Sequence, residues 1–219
     1  MKVIKRLFDQ QGAYATFDFG ALRNGYGWIF PKSDHLSVGI LQTNDYKSTD
    51  LNLVLKNFIA CQAVLQECTV LKLKGHLIPM GGKPEILHNN RVLLIGDAAN
   101  LADPWLGEGL FYAISSARIA AEVLLNLNKK GTIDLSAYTT RINQEIISQF
   151  RYAKAFAKFV YKYPQTSSKI ISKSPLMQNI VFNAISGKLS YQQLNRKLLN
   201  QLPAILLQAL SGKEESSEA

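Results

Sequence analysis

The stretch Arg91–Leu110, RVLLIGDAANLADPWLGEGL, constrains the fold more than any other part of the chain. A continuous apolar run, Val92–Ile95, ends directly on Gly96 and Asp97, a loop with Pro104, Gly107 and Gly109 follows, and a helical pattern then runs from Gly109 to Leu127. Four apolar residues without polar alternation are what a strand buried on both faces of a parallel sheet requires. Ala113, Ser115, Ser116, Ala117, Ala120 and Ala121 keep the helix thin enough for another backbone or a ligand to come close. An acid at the carboxyl end of an inner strand, followed by a glycine-containing turn and a helix start, is how open α/β sheets hold nucleotide-like ligands. Asp97 can accept hydrogen bonds from a sugar or polyol hydroxyl. Gly107 and Gly109 let main chain approach a flat ring, and a helix mouth carrying about half a positive charge favours an anionic group. The same residues also read as an ordinary strand end, with Asp97 capping Ala98 or Ala99 and Gly107-Glu108-Gly109 an ordinary turn. The pattern alone leaves both open.

Around this junction the chain reads as α+β. Ala13–Phe19 alternates as AYATFDF, Asn24-Gly25 is a hairpin dipeptide, and Tyr26–Phe30 and His35–Leu41 supply further strands around Ser33-Asp34, which makes an antiparallel meander. Thr49-Asp50 can cap a helix from Leu51 to about Gln66, and Thr69–Ile78 alternates as a long strand. Gly81-Gly82-Lys83 lacks the spacing of a phosphate loop and reads as a turn. Beyond Gly131 the pattern is helical: Leu135–Tyr161 as one helix or two, a helix opened by Ser174-Pro175, and a last one opened by the capping box Ser190–Gln193 and running to about Leu210. The expected organisation is a β-rich region over 1–90, a strand-loop-helix segment over 91–130, a helical region over 131–211 and a disordered polar tail over 212–219.

At 47% hydrophobic residues, 219 residues suffice for a sizeable core. The longest uninterrupted apolar runs, such as Val92–Ile95 and Ala204–Leu207, fall short of the roughly 18 residues of a membrane span. Asp9-Gln10-Gln11 breaks any signal-peptide pattern, so a cytoplasmic chain is expected. Cys61 and Cys68 read as two buried thiols. His35, His76 and His88 are scattered, which leaves no metal pair, no nucleophile-base arrangement and no support for hydrolase chemistry. Of the net charge of +9, Arg151, Lys154, Lys158 and Lys162 form one helical stripe, with Phe156, Phe159, Val160 and Tyr163 largely elsewhere on the helix. This suits a solvated face, or one docked peripherally on anionic headgroups. No nucleic-acid reader motif accompanies the charge, so nucleic acid is not an expected partner.

RVLLIGDAANLADPWLGEGLFYAISSARIAAEVL resembles the second flavin-contacting motif of the p-hydroxybenzoate hydroxylase-like flavoproteins, in the form found in the geranylgeranyl reductase family. YGWIFPKSDHLSVGI, from Tyr26 to Ile40, is similar to that family's Tyr-x-Trp-x-Phe-Pro-Lys motif, and a further likeness runs from Tyr161 to Leu194. The resemblance implies a partial FAD/NAD(P)-binding flavoprotein fold: an antiparallel substrate-domain sheet, one Rossmann-type returning strand with its helix, and a helical C-terminal region. It implies that Asp97 contacts the ribityl or pyrophosphate region of FAD, that Pro104, Gly107 and Gly109 lie beside the isoalloxazine, and that Gly96 and Glu108 are also cofactor-binding. Tyr26, Trp28 and Phe30 would line an isoprenoid cavity, the other reading of that segment being a core strand, while Lys32 is a solvated turn residue. The implied reaction is reduction of carbon–carbon double bonds in a polyprenyl (geranylgeranyl) substrate, with NAD(P)H as an electron donor and no catalytic side chain assigned.

Such proteins begin with a strand, a Gly-x-Gly-x-x-Gly turn and a helix. The nearest approach here, Gly25-Tyr26-Gly27, lies in a hairpin. The chain is therefore expected to be a C-terminal portion completed by an N-terminal FAD-binding half on a separate chain, with the inner strand short of parallel partners. A non-catalytic remnant binding a lipid, a membrane or a partner protein is the alternative. Leu106 and Asn100 also depart from the family pattern, standing where a hydroxyl residue and a small residue or histidine are usual. A flavin monooxygenase or halogenase relative would share Gly96-Asp97 but not YGWIFPK.

Overall fold

The computed structural model describes residues 14–43, 50–66, 68–83, 85–130 and 134–211. The expected tail over 212–219 lies outside them. The described residues form two compact units, one containing those up to His76 together with Lys158–Lys169, the other Leu77–Ala157 together with Ile170 onwards.

In the first unit β1 (Thr16–Asp18), β2 (Gly25–Pro31) and β3 (Leu36–Gln42) make an antiparallel sheet in that order, with Trp28 opposite Phe17 on one side and Gly39 on the other. Asn24 adopts φ 55, and its carbonyl accepts from the Thr43 amide at 2.8 Å and hydroxyl at 3.0 Å. The Asn-Gly pair thus sits at the entry to β2, where left-handed backbone is needed, and not at the centre of a two-residue hairpin. The period of two splits β2. Ile29 points into a core of Leu36, Phe58 and Leu65, whereas Tyr26, Trp28 and Phe30 share the opposite face. Gly39 is what lets the Trp28 indole lie flat there, since a Cβ at 39 would stand 2.3 Å from the ring. Gly39→Ala is expected to cost about 1–3 kcal/mol through overpacking, read by urea titration of tryptophan emission. An unchanged midpoint and spectrum would contradict this placement of the indole.

Helix α1 (Leu51–Cys61) is capped by Asp50, whose carboxylate accepts from the Asn52 and Leu53 amides at 2.9 and 3.3 Å. It stops at Cys61, short of Gln66, and a 3-10 turn (Ala63–Leu65) follows. The expectation of two buried thiols is corrected: Cys61 is exposed and Cys68 half-buried. The apolar periodicity ran past the true helix end, and Cys61 falls on the outer side of the last turn.

In the second unit β4 (His88–Asn89) and β5 (Val92–Leu93) form a two-residue antiparallel ladder. The long strand expected over Thr69–Ile78 is corrected as well: Val70–Pro79 carries no ladder among the described residues. An alternating segment becomes a strand only where a neighbour pairs its amides, and here pairing is limited to isolated bridges at Thr69 and at Met80, the latter parallel to Ala102. Helices follow: α2 (Leu110–Lys130), α3 (Ser136–Ile142), a π turn (Asn143–Ile147), α4 (Ser148–Lys162), α5 (Pro164–Lys173), α6 (Pro175–Ile185) and α7 (Tyr191–Ser211). The run from 136 to 162 is thus continuous through the π turn. Ser174 caps α6 by accepting from the Met177 amide at 3.2 Å, and Ser190 and Gln193 form the reciprocal box at the head of α7.

The core joins Leu87, Leu101, Ile119, Val123, Tyr138, Ile142, Ile146 and Phe150. Arg141 bridges Glu122 and Glu145 at 2.7 Å each, which holds the Glu122 carboxyl below its usual range. Leu110–Leu127 is long and apolar enough to cross a membrane by length and composition alone, with a mean hydropathy of 1.3. Counting uninterrupted runs overlooked it, because Arg118 and Glu122 interrupt the apolar residues. Its Ile119, Ala120 and Val123 are buried in this core, while only 22% of Leu110–Leu127 as a whole is buried.

Candidate functional site

The junction is built around Gly96. Its backbone is left-handed, φ 51, and its amide donates to the buried Ser116 hydroxyl at 3.0 Å. A Cβ at 96 would approach the Ala113 Cβ to 3.0 Å, so the glycine and the small residues of α2 answer a single steric demand. One turn of chain back, the Leu94 carbonyl accepts from the Tyr138 hydroxyl at 2.6 Å, and burial pushes that phenol up to about 12.

A 3-10 turn (Gly96–Ala99) then presents Asp97 to solvent. Its carboxylate caps neither Ala98 nor Ala99 and makes no hydrogen bond to any described residue. Its Oδ1 lies 2.9 Å from the point a Cβ at Gly109 would occupy. Asn100 closes the turn at φ 54, its amide donating to the Asp97 carbonyl at 3.0 Å. Asparagine tolerates left-handed backbone where most residues do not, which accounts for its presence here.

The loop from 103 to 109 is closed by its own backbone: the Asp103 amide donates to the Glu108 carbonyl at 2.7 Å and the Gly107 amide to the Asp103 carbonyl at 2.9 Å, with Gly107 at φ 69. Its inner side is packed. Pro104 is buried and close to Gly81, and Trp105 is fully buried, edge-on to Phe156 with ring centroids 4.7 Å apart. Asp103, 3% exposed, accepts from the Trp105 and Leu106 amides at 2.8 Å each, from the Tyr191 hydroxyl at 2.6 Å and from the Tyr112 hydroxyl at 3.4 Å. Burial drives its pKa up, and these hydrogen bonds oppose the shift. The Tyr112 phenol is also raised, first by burial and then by the Asp103 charge. Glu108 lies at the exposed rim and accepts from the Phe111 amide at 2.8 Å, capping α2. One donor at the helix mouth is therefore already taken, while the Gly109 and Leu110 amides have no side-chain acceptor among the described residues.

Of the residues singled out in the sequence, Asp97 and Gly109 come together at this half-open rim, Gly107 and Glu108 belong to the same loop, and Gly96 and Pro104 are buried behind it. Tyr26, Trp28 and Phe30 lie in the other unit, where they join Phe17 and Phe19 in a five-ring aromatic face with neighbouring centroids 5.1–6.3 Å apart. Lys32 is an exposed turn residue. On α4, Arg151, Lys154, Lys158 and Lys162 are exposed, Phe156 and Val160 are buried, and Phe159 lies on the exposed side with the cations. The sequence did not mark Asp103, Tyr112 or Tyr191, and it marked Ser116 only as a small residue, not as the acceptor for Gly96. The Asp-Pro step is a turn signal that could have marked Asp103, but nothing local announces a partner 88 residues away.

No protein-family model matches the chain. It is 35% identical over 193 residues to an uncharacterized protein of Methanosarcina barkeri, covering 88% of this chain and 49% of that protein. It is 25% identical over 189 residues to the digeranylgeranylglycerophospholipid reductase of Methanocella arvoryzae, covering 83% and 46%. A geranylgeranyl bacteriochlorophyll reductase-like protein of Thermoplasma acidophilum shares the fold, with a TM-score of 0.69 at 18% identity over 91% of this chain and 51% of that one. The class these features define is a mixed fold of helices and small antiparallel sheets that matches about half of that protein. Within it, the chain is a homologue of the geranylgeranyl and digeranylgeranylglycerophospholipid reductases, and it spans about half the length of the relatives it matches.

Proposed function

We propose that this chain supplies the flavin-contacting rim and the substrate-side aromatic face of an FAD-dependent oxidoreductase that reduces carbon–carbon double bonds of a polyprenyl group. The observation that carries the reading is the pairing of an exposed carboxylate at Asp97, bonded to no described residue, with the bare α-carbon of Gly109. A carboxylate acceptor next to main-chain donors suits a ligand with hydroxyls at one end and a polar ring edge at the other. The residues fit that group, because a side chain at 109 would fill the gap beside Asp97. Bound there, a flavin would supply the hydride for alkene reduction. Asp97 would orient it by accepting from a ribityl hydroxyl, and the Gly109 and Leu110 amides would face its ring edge. The rings of Tyr26, Trp28 and Phe30 offer a prenyl chain apolar contact without a competing charge. No feature of the described residues marks a nicotinamide site.

Val92, Leu94, Ile95, Leu110, Phe111 and Ile114 all expose apolar side chains in the second unit. We assign this face to the dinucleotide-binding part of the fold, with its Gly-x-Gly-x-x-Gly turn, whether on the same polypeptide or a separate one. The relatives, about twice as long as the matched region, have chain enough to cover it. The test is the visible spectrum after incubation with FAD, with and without a Gly-x-Gly-x-x-Gly-bearing half supplied in trans. Bound-flavin bands should appear with that half present, and Asp97→Ala should weaken FAD binding about tenfold or more, as loss of a hydrogen bond to a charged group does. A colourless complex in every combination would favour the non-catalytic module.

A further inference from the structure

We propose that the α6–α7 helical pair is a docking surface for an anionic lipid bilayer, a proposal that stands independently of the reductase reading. Residues 174–211, which form the pair, hold three cations, Lys188, Arg196 and Lys197, and no Asp or Glu. A surface so one-sided in charge is complementary to an anionic one.

The apolar pattern points to the same occupant. Helix α7 carries two apolar stripes. Leu194, Ile205 and Ala209 form the inner one and are buried. Leu199, Leu202, Leu206 and Leu210, spaced three, four and four, form an outer stripe, with Leu199 69% and Leu210 84% exposed. Helix α6 runs antiparallel to it, since the Ser174 hydroxyl and the Leu176 amide at its start both reach Gln208 near the end of α7. Phe182 and Ile185 on α6 are exposed as well. Lys188, Arg196 and Lys197, all exposed, cluster around the connection between the two helices.

Pro203 discriminates between occupants. It has no N–H, so the Leu199 carbonyl, on the outer stripe, lacks its usual intrahelical donor. A dry protein interface would leave that carbonyl unpaired at a cost. The headgroup region of a bilayer keeps water within reach while the leucines enter the acyl boundary, as an interfacial helix requires.

The experiment is co-sedimentation of the 219-residue chain with phosphatidylcholine vesicles and with vesicles containing phosphatidylglycerol, free of prenyl lipid and FAD. Binding should require phosphatidylglycerol and weaken with salt. Arg196→Gln with Lys197→Gln should lower the partition about thirtyfold, and Leu202→Gln with Leu206→Gln about tenfold or more. Both pairs are exposed, so far-UV circular dichroism should not change. Should the leucine pair lose helicity, the Arg196/Lys197 pair alone decides. No sedimentation with anionic vesicles, partition indifferent to the Arg196/Lys197 change, or a dimer in size-exclusion chromatography that the leucine pair dissolves would each overturn the proposal. None of these results bears on flavin binding.

Discussion

Trp105→Ala is expected to lower the unfolding free energy by about 3–5 kcal/mol, the range for truncating a fully buried aromatic. The indole has no exposed surface, meets Phe156 edge-on at 4.7 Å and lies 6.4 Å from the Tyr191 ring. It thereby ties the loop to α4 and to the start of α7. Removing it leaves a cavity bounded by helices that cannot all close in, which is why the upper end of the range applies. Urea denaturation followed by far-UV circular dichroism measures the loss. Trp105→Phe, which keeps an aromatic edge, should cost markedly less. A change under about 1 kcal/mol for the alanine variant would mean that the loop is not held from behind, and that the spacing of Asp97 and Gly109 needs another explanation.

The elements readable in the sequence were those whose signals are local. Asp50, Ser174 and the Ser190–Gln193 box cap helices where expected because a cap uses only neighbours in the chain. Tyr26–Phe30 forms a strand as expected, and the period of two puts its three aromatics on one face of β2, opposite the core-facing Ile29. The small residues of α2 announced a close approach, and Gly96 makes it. Signals that depend on a partner elsewhere failed. Val92–Ile95 read as an inner strand of a parallel sheet and Thr69–Ile78 as a long strand because apolar and alternating patterns record what a segment is suited to pair with; among the described residues Val92 and Leu93 pair only antiparallel with His88 and Asn89 and stay partly exposed, and no ladder forms over Val70–Ile78. In the rim, the cap that Glu108 gives α2 by accepting from the Phe111 amide had no separate signal in the sequence. Asp103 was passed over because its meaning comes from Tyr112 and Tyr191, on two different helices. Asn100 looked like a departure until its left-handed backbone supplied the reason.

Asp103→Ala is expected to cost on the order of 3 kcal/mol, because it strands the Trp105 and Leu106 amides and the Tyr191 hydroxyl in a buried site. The informative variant is Asp103→Asn, which keeps an acceptor for the amides while removing the titration. Burial raises the folded pKa of Asp103 above its ordinary value of 3.8, so the folded state holds that proton more tightly than the unfolded one. The stability linked to this group is therefore fully present below 3.8 and is lost as pH rises through the raised folded value. Relative to Asp103→Asn, the unaltered protein should lose stability over that window and run parallel above it, as measured by urea titrations at a series of pH values. Tyr191→Phe removes the strongest of the hydrogen bonds that oppose the shift, and should move the upper end of the window to higher pH. Parallel pH profiles for the unaltered protein and Asp103→Asn throughout would show that Asp103 titrates as an ordinary solvated carboxylate. The clamp it forms between the loop, α2 and α7 would then be absent in solution.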